Sequence, residues 1–425
     1  MNARLLAAVG SVLVSSALLA QSSPSPQAEA EPEPTTRSLL EQMRQMEKRI
    51  SELEAHEREQ AAIIAAYAAA QKPESAAPPP APPPPASSSD HMAHTQEVRD
   101  AEVHYPSLQF RGFGDVDFSA TDAQGSTSGF NLGQFVLHLA SPLSPKVSYF
   151  GELSFTAQPT TYDVSVERTI IRYDYNDYLK VSFGKYHTPL GYWNTAFHHG
   201  AWLQTTISRP EMVQFGGTLI PIHFVGLQVE GNIPSGSMGL SYSLGLGNGR
   251  GSLLSKAGDN GDANSNRAWV AGIASRPSRF YGLQMGASVY RDELTPVGGT
   301  SRREWIEDAY VAWTKERPEV LAEFANVHHS DILTGQIFNT QAFYVQLAYR
   351  FPWRENKWKP YYRFEYIHRP ESEPDWNVTD LVGSTVGVRY DITNYAAFKG
   401  EYRNTRHGIG EPRVNGAFFQ TAFTF

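Results

Sequence analysis

The sequence predicts an all-β fold: a 16-stranded antiparallel transmembrane β-barrel over residues 107–425, with an N-terminal periplasmic α-helical coiled coil ahead of it. Three observations predict it. Apolar and polar residues alternate with a period of two along many segments after Leu108. Many of those segments run to ten or more residues, long enough for a tilted strand to cross a bilayer. The connections between them alternate between short turns and long loops, as in a barrel whose two rims face different compartments.

The first element is the opening run. MNAR carries a positive charge, LLAAVGSVLVSSALLA is apolar, and small residues follow. This reads as a signal peptide, residues 1–20, with cleavage after Ala20 or as late as Ala30; the other reading is a membrane anchor. Export follows from the first. The second element is a helix over 36–71. Leu39, Met43, Met46, Ile50, Leu53, Glu57, Gln60, Ile64 and Tyr67 keep 4–3 spacing, which places one seam along a coiled coil. A lone amphipathic helix is the alternative. Residues 72–106 are a Pro-rich linker, KPESAAPPPAPPPPASSS at its heart, which favours an extended spacer over helix or sheet.

The barrel strands come next, at about 107–121, 130–142, 146–157, 163–176, 178–188, 223–233, 238–248, 267–276, 281–292, 303–316, 319–330, 340–352, 358–369, 380–392, 395–405 and 415–425. In FYVQLAYRF, Phe343, Val345, Leu347, Tyr349 and Phe351 share one face, while Gln346 and Arg350 share the other. Short turns such as SPLSPK, YNDY and ITNY follow the even strands, and longer loops follow the odd ones. Within hydrocarbon, only a helix or a closed barrel satisfies every backbone polar group. An even strand number brings both barrel ends to the short-turn rim, in the periplasm. The chain ends NGAFFQTAFTF, whose Phe419, Phe423 and Phe425 fall on the lipid-facing side. This ending is similar to the C-terminal aromatic signature that the barrel assembly machinery reads. The implied location is the bacterial outer membrane, among its lipid and lipopolysaccharide.

Composition narrows function. The chain has 425 residues, a formal charge of −8 and no cysteine. Nothing points to nucleic acid, and a cysteine nucleophile, disulfides and thiolate metal sites are excluded. No serine motif with a matched histidine signals a hydrolase, so no enzyme and no cofactor are expected. His198–His199 and His328–His329 are adjacent pairs that point apart on a strand, and the 258–266 loop lacks a closing glutamate for calcium; metal: none.

Residues 166–191, VERTIIRYDYNDYLKVSFGKYHTPLG, resemble a hairpin motif of the phosphate-selective porin family, matched at Gly184, Lys185, Pro189, Leu190 and Gly191. The heptad-plus-barrel arrangement is also similar to coiled-coil-bearing trimeric dicarboxylate porins. Both resemblances imply a homotrimer of barrels and passage of small anionic solutes. The first implies a third extracellular loop folded into the lumen. The third loop here, 189–222, is the longest, and Trp193, His198, His199, Trp202, Arg209 and Glu211 are its candidate constriction residues. Its apolar content suits packing inside the barrel, or over the outside or against a neighbouring subunit.

Lumen-facing basic candidates are Arg111, Arg350, Arg363, Arg389, Lys399 and Arg403; the phase of the fourth strand is open, and Arg168 and Arg172 join them if Ile171 and Tyr173 face lipid. They either focus an anion-attracting field or pair with the interleaved Glu365, Asp391 and Glu401. The expected function is passive diffusion of small hydrophilic solutes with an anion (phosphate or carboxylate) preference. The alternative is a structural barrel whose coiled coil tethers or spaces the envelope, for example on peptidoglycan.

Overall fold

The computed structural model describes residues 105–425, apart from 198, 374, 375 and 377. The expected signal peptide and coiled coil, nearly all of the expected linker, and His198 lie outside the described residues.

The described chain forms one closed antiparallel barrel. Its strands are β1 (Gln109–Thr121), β2 (Gly129–Pro142), β3 (Val147–Ala157), β4 (Tyr162–Asn176), β5 (Leu179–His187), β6 (His223–Ile233), β7 (Leu240–Asn248) and β8 (Ala268–Ser275). They continue with β9 (Leu283–Leu294), β10 (Arg302–Thr314), β11 (Glu319–Asp331), β12 (Ile337–Ala348), β13 (Trp358–His368), β14 (Leu381–Thr393), β15 (Ala396–His407) and β16 (Val414–Thr424). Each strand pairs with its sequence neighbours, and β16 closes on β1 in a register from Phe113↔Thr424 to Thr121↔Gly416. Two further backbone bonds extend the seam, Gly112 N to Phe425 O at 2.8 Å and Phe425 N to Gly112 O at 3.0 Å. Every strand edge is thereby paired, which removes the unpaired edge that lipid or water would otherwise meet.

The C-terminal aromatics take the outer face. Phe419, Phe423 and Phe425 are 43%, 36% and 63% exposed. The Phe425 ring stacks on Phe135 at 5.9 Å and lies over Gly112, where a Cβ would come within 2.2 Å of it. A glycine below an aromatic ring gives the last strand a flat seat on the first.

Side chains encode the short turns. Asn176 Oδ1 accepts from Tyr178 N and Leu179 N, both at 2.9 Å, closing the β4–β5 turn. Strand ends differ from the expected ones mainly at β12, which begins at Ile337 and stops at Ala348. Pairing continues less regularly beyond it, with Tyr349 N on Pro360 O and Phe351 N on Trp358 O.

The phase of β4 was open in the sequence, and a bulge resolves it. Glu152 opposes Arg168 while Leu153 opposes Val166, so Glu167 is the extra residue. Ile171 and Tyr173 are exposed outward, and Glu167, Arg168 and Arg172 turn to the interior.

Candidate pore constriction

The long connection between β5 and β6, residues 188–222, folds into the barrel. Leu190, Trp193, Val213 and Ile220 are at most 1% exposed, and they pack with the barrel-wall residues Phe224, Tyr290, Ile306, Leu321 and Tyr344. The loop therefore carries its own hydrophobic core onto the wall, which accounts for an apolar content unsuited to a solvated loop.

Its root is tied at both ends. Thr188 N donates to Ile222 O at 3.0 Å, and Asn194 Nδ2 donates to Thr188 O and Ile222 O at 2.9 and 3.1 Å. Gly191 turns the chain inward with φ +75°, and a Cβ there would lie 2.0 Å from Glu323 Oε1. The turn hands over to a single helical turn, α1 (Trp193–Ala196). Glu323 on β11 receives its start, accepting from Tyr192 N, Trp193 N and Tyr344 OH at 3.2, 3.0 and 3.0 Å.

The middle of the loop is held by the wall of charges named from the sequence. Arg363, Lys399 and Arg389 do face inward, but they are buried, at 0%, 0% and 7% exposure. Arg363 donates to Ser208 O, Arg209 O, Ser208 Oγ and Thr206 Oγ1 at 2.8, 3.0, 2.6 and 3.2 Å. Arg389 donates to Trp202 O and Gln204 O, and Lys399 to Ala201 O and Thr206 O. The acids take the loop's donors. Glu401 accepts from Ile207 N at 2.9 Å and Ser208 Oγ at 2.8 Å, Glu365 from Glu211 N at 2.7 Å, and Glu319 from Thr205 Oγ1 at 2.9 Å. The expectation that these three cations line an open passage is corrected on that point: they cross-link loop to wall. Pairing with acids also holds, for Arg363–Glu365 at 3.2 Å and Arg389–Asp391 at 2.8 Å.

The other basic candidates divide. Arg403 lies over the Phe418 ring at 3.7 Å, bonds Glu401 at 2.5 Å, and keeps 25% of its side chain exposed. Arg168 bonds Glu152 and keeps 20% exposed. Arg172 is held by Asp174 and Glu230. Arg350, expected to face the lumen, is held by Glu316 and Asp391 near the turn after β12, where it acts as a strut at the rim. Arg111 stands exposed near the start of β1.

Across from the clamp, the loop reaches β2 and β4 through His199. Its Nδ1 lies 3.0 Å from Gln134 Oε1, its Nε2 lies 3.6 Å from Glu167 Oε2, and its ring stacks on Phe215 at 4.7 Å. His223 Nε2 approaches Glu167 at 3.0 Å, and His138 and His187 approach Glu152 at 3.2 and 3.6 Å. This group of imidazoles around two carboxylates was not legible as a group, because its members come from five strands and a loop. Arg209 is turned back onto its own loop, donating to Val213 O at 2.9 Å and lying 3.8 Å over Phe215. Trp193 and Trp202 sit below Arg363 and Arg389, at 5.9 and 5.7 Å. Burial raises the Glu211 carboxyl above its ordinary value, with Glu365 adding to the effect and His407 opposing it.

In the hairpin motif, Gly184 adopts φ +144° and a Cβ there would strike Thr169 O at 1.9 Å. Lys185 Nζ bonds Asp259 Oδ2 at 2.8 Å, tying β5 to the 258–266 loop. A second anchor, not foreseen, holds the end of the long loop: Arg250 donates to Leu219 O at 2.8 Å and to Glu304 at 3.1 Å, and Trp376 Nε1 to Thr218 O at 3.2 Å.

No family model matches the chain, and no curated protein matches it in sequence. Solved structures do. The chain is similar to the anion-selective porin from Comamonas acidovorans, at 9% identity over 75% of this chain and 100% of that one, with TM-score 0.57. It carries the outer-membrane porin fold. It is also similar to the outer membrane channel DcaP of Acinetobacter baumannii, at 12% identity over 76% and 98% of the two chains, with TM-score 0.52. The trimer form of OmpT, an outer membrane protein of Vibrio cholerae, shares 15% identity over 76% and 100%, also at TM-score 0.52. At these identities the likeness is one of fold.

Proposed function

We propose that the protein is an outer-membrane porin through which small hydrophilic solutes diffuse passively. The observation that carries this is the loop of residues 188–222, drawn into a closed barrel and fixed there by buried ion pairs and hydrogen bonds. A barrel that only decorated an envelope would have no use for so costly an internal constriction. A preference for anions, phosphate or carboxylate, rests on Arg403 and Arg168, two inward cations that keep a fifth or more of their side chains exposed. The fold likeness to an anion-selective porin supports it. Asp115 and Asp117, on the inward face of β1, temper the preference.

The chain acts as a homotrimer in this reading, supported by the trimer form of the Vibrio cholerae neighbour. Residues 1–20 export it, and the 36–71 helix and 72–106 linker project into the periplasm. Proteoliposome swelling tests the proposal: the reconstituted protein admits small sugars and dicarboxylates, and Arg403→Gln slows the dicarboxylate more than the sugar. Liposomes that swell no faster with the protein than without it would reject transport.

A further inference from the structure

The outward faces of the strands divide the barrel wall into two unlike parts. On β4 the outward residues from Tyr162 to Tyr175 are apolar apart from Thr169, a span of roughly 33 Å of height for a strand tilted by about 40°. On β10 the outward apolar series is only Trp313, Val311 and Ala309, and the next outward residue is Glu307. That apolar stretch is roughly 10 Å high.

Polar side chains continue around this part of the wall. Glu307 stands opposite Asn326 on β11, which stands opposite Gln341 on β12. One step nearer the extracellular ends, Trp269, Arg291, Trp305, His328 and Asn339 make a row across β8 to β12. The Trp269 and Trp305 rings meet edge to face at 5.4 Å, on either side of Arg291 in that row. Arg303 is the next outward residue on β10. Among the described residues, neither Arg291 nor Arg303 takes part in an ion pair, although Glu293 faces Arg303 across the ladder.

Hydrocarbon offers these groups nothing, and a lipid-facing cation costs up to about 2–4 kcal/mol near the midplane. A phosphorylated sugar offers each of them a partner. Indole faces lie against sugar rings, planar amides and imidazoles reach hydroxyl and amide groups, and a guanidinium binds phosphate bidentately. We propose that this face of β8–β12 binds the phosphorylated disaccharide headgroup of a lipopolysaccharide-type glycolipid, with Arg291 and Arg303 on its phosphates. The inference rests on the outer-membrane placement above, but not on conductance.

Native mass spectrometry of the detergent-solubilised full chain tests it, with bisphosphorylated lipid A, monophosphoryl lipid A and phosphatidylglycerol as probes. The wild type should prefer the bisphosphorylated lipid. The double variant Arg291→Gln/Arg303→Gln should bind it about tenfold more weakly, with phosphatidylglycerol binding unchanged. A second variant, Asn339→Ala, weakens all lipid A forms without changing the preference between them. Equal lipid A affinity in the double variant, or no preference over phosphatidylglycerol, overturns the proposal. So does a disulfide between two copies through Asn326→Cys in this cysteine-free chain, because a second subunit would then cover the face. Solute permeation, measured on the same preparations, reports separately on the porin reading.

Discussion

At the scale of single residues, the same side-chain types serve two purposes that differ only in what lies over them. Arg363 and Arg403 both point inward from neighbouring parts of the wall. Arg363 spends its donors on the loop at Thr206, Ser208 and Arg209, and Arg403 stays partly exposed beside Glu401 and Phe418. Arg363→Met should strand Glu365 and the loop carbonyls at a cost of about 3 kcal/mol. Its expected signature is a noisier, larger single-channel current, whereas Arg403→Gln should leave current noise unchanged and shift reversal potential toward cations. Glu211 gives a pH-dependent prediction. Its raised carboxyl means that the folded state holds a proton more tightly than the unfolded state. The stabilisation is therefore present at low pH and is lost as pH rises through the folded value. Glu211→Gln should thus raise the unfolding temperature at pH 8 relative to wild type and change it little at pH 4, measured by loss of β-sheet circular dichroism.

At the scale of elements, the long loop and its hinge decide the interior. Gly191→Ala places a methyl group on a left-handed backbone and against Glu323. Gly216→Ala meets the same backbone penalty, φ +71°, with nothing within 4 Å. The second should cost about 1 kcal/mol and leave the loop protected. The first should expose it to limited proteolysis, and equal protection of both variants would contradict the docking described. Strands were legible because a period of two survives any tertiary context: Phe343, Val345 and Leu347 face outward as their alternation requires. The phase of β4 was not, because the bulge at Glu167 adds a residue that no alternation announces. The clamp was half legible. Alternation places Lys399 and Glu401 inward, yet nothing local to β15 says that residues some two hundred positions earlier lie over them. The histidines around Glu152 and Glu167 were illegible for the same reason.

At the scale of the whole molecule, closure and filling depend on each other. The β1–β16 seam completes the ring, and Phe425 seated over Gly112 finishes its outer surface. Gly112→Val would push that ring away, and the expected result is a lower yield of barrel that resists unfolding in detergent, read as a loss of the heat-modifiable band in electrophoresis. Inside, the loop fills part of an eight-pair cylinder of strands by stacking its apolar core on one side of the wall, and the proposed channel is what that filling leaves. The most direct test of this is planar-bilayer recording of the wild type beside a variant in which residues 196–217 are replaced by a short Gly-Ser link. The account predicts stepwise currents from the wild type and steps several-fold larger, with weaker ion selectivity, from the shortened loop. A wild type without steps, or two proteins with the same conductance, would contradict it.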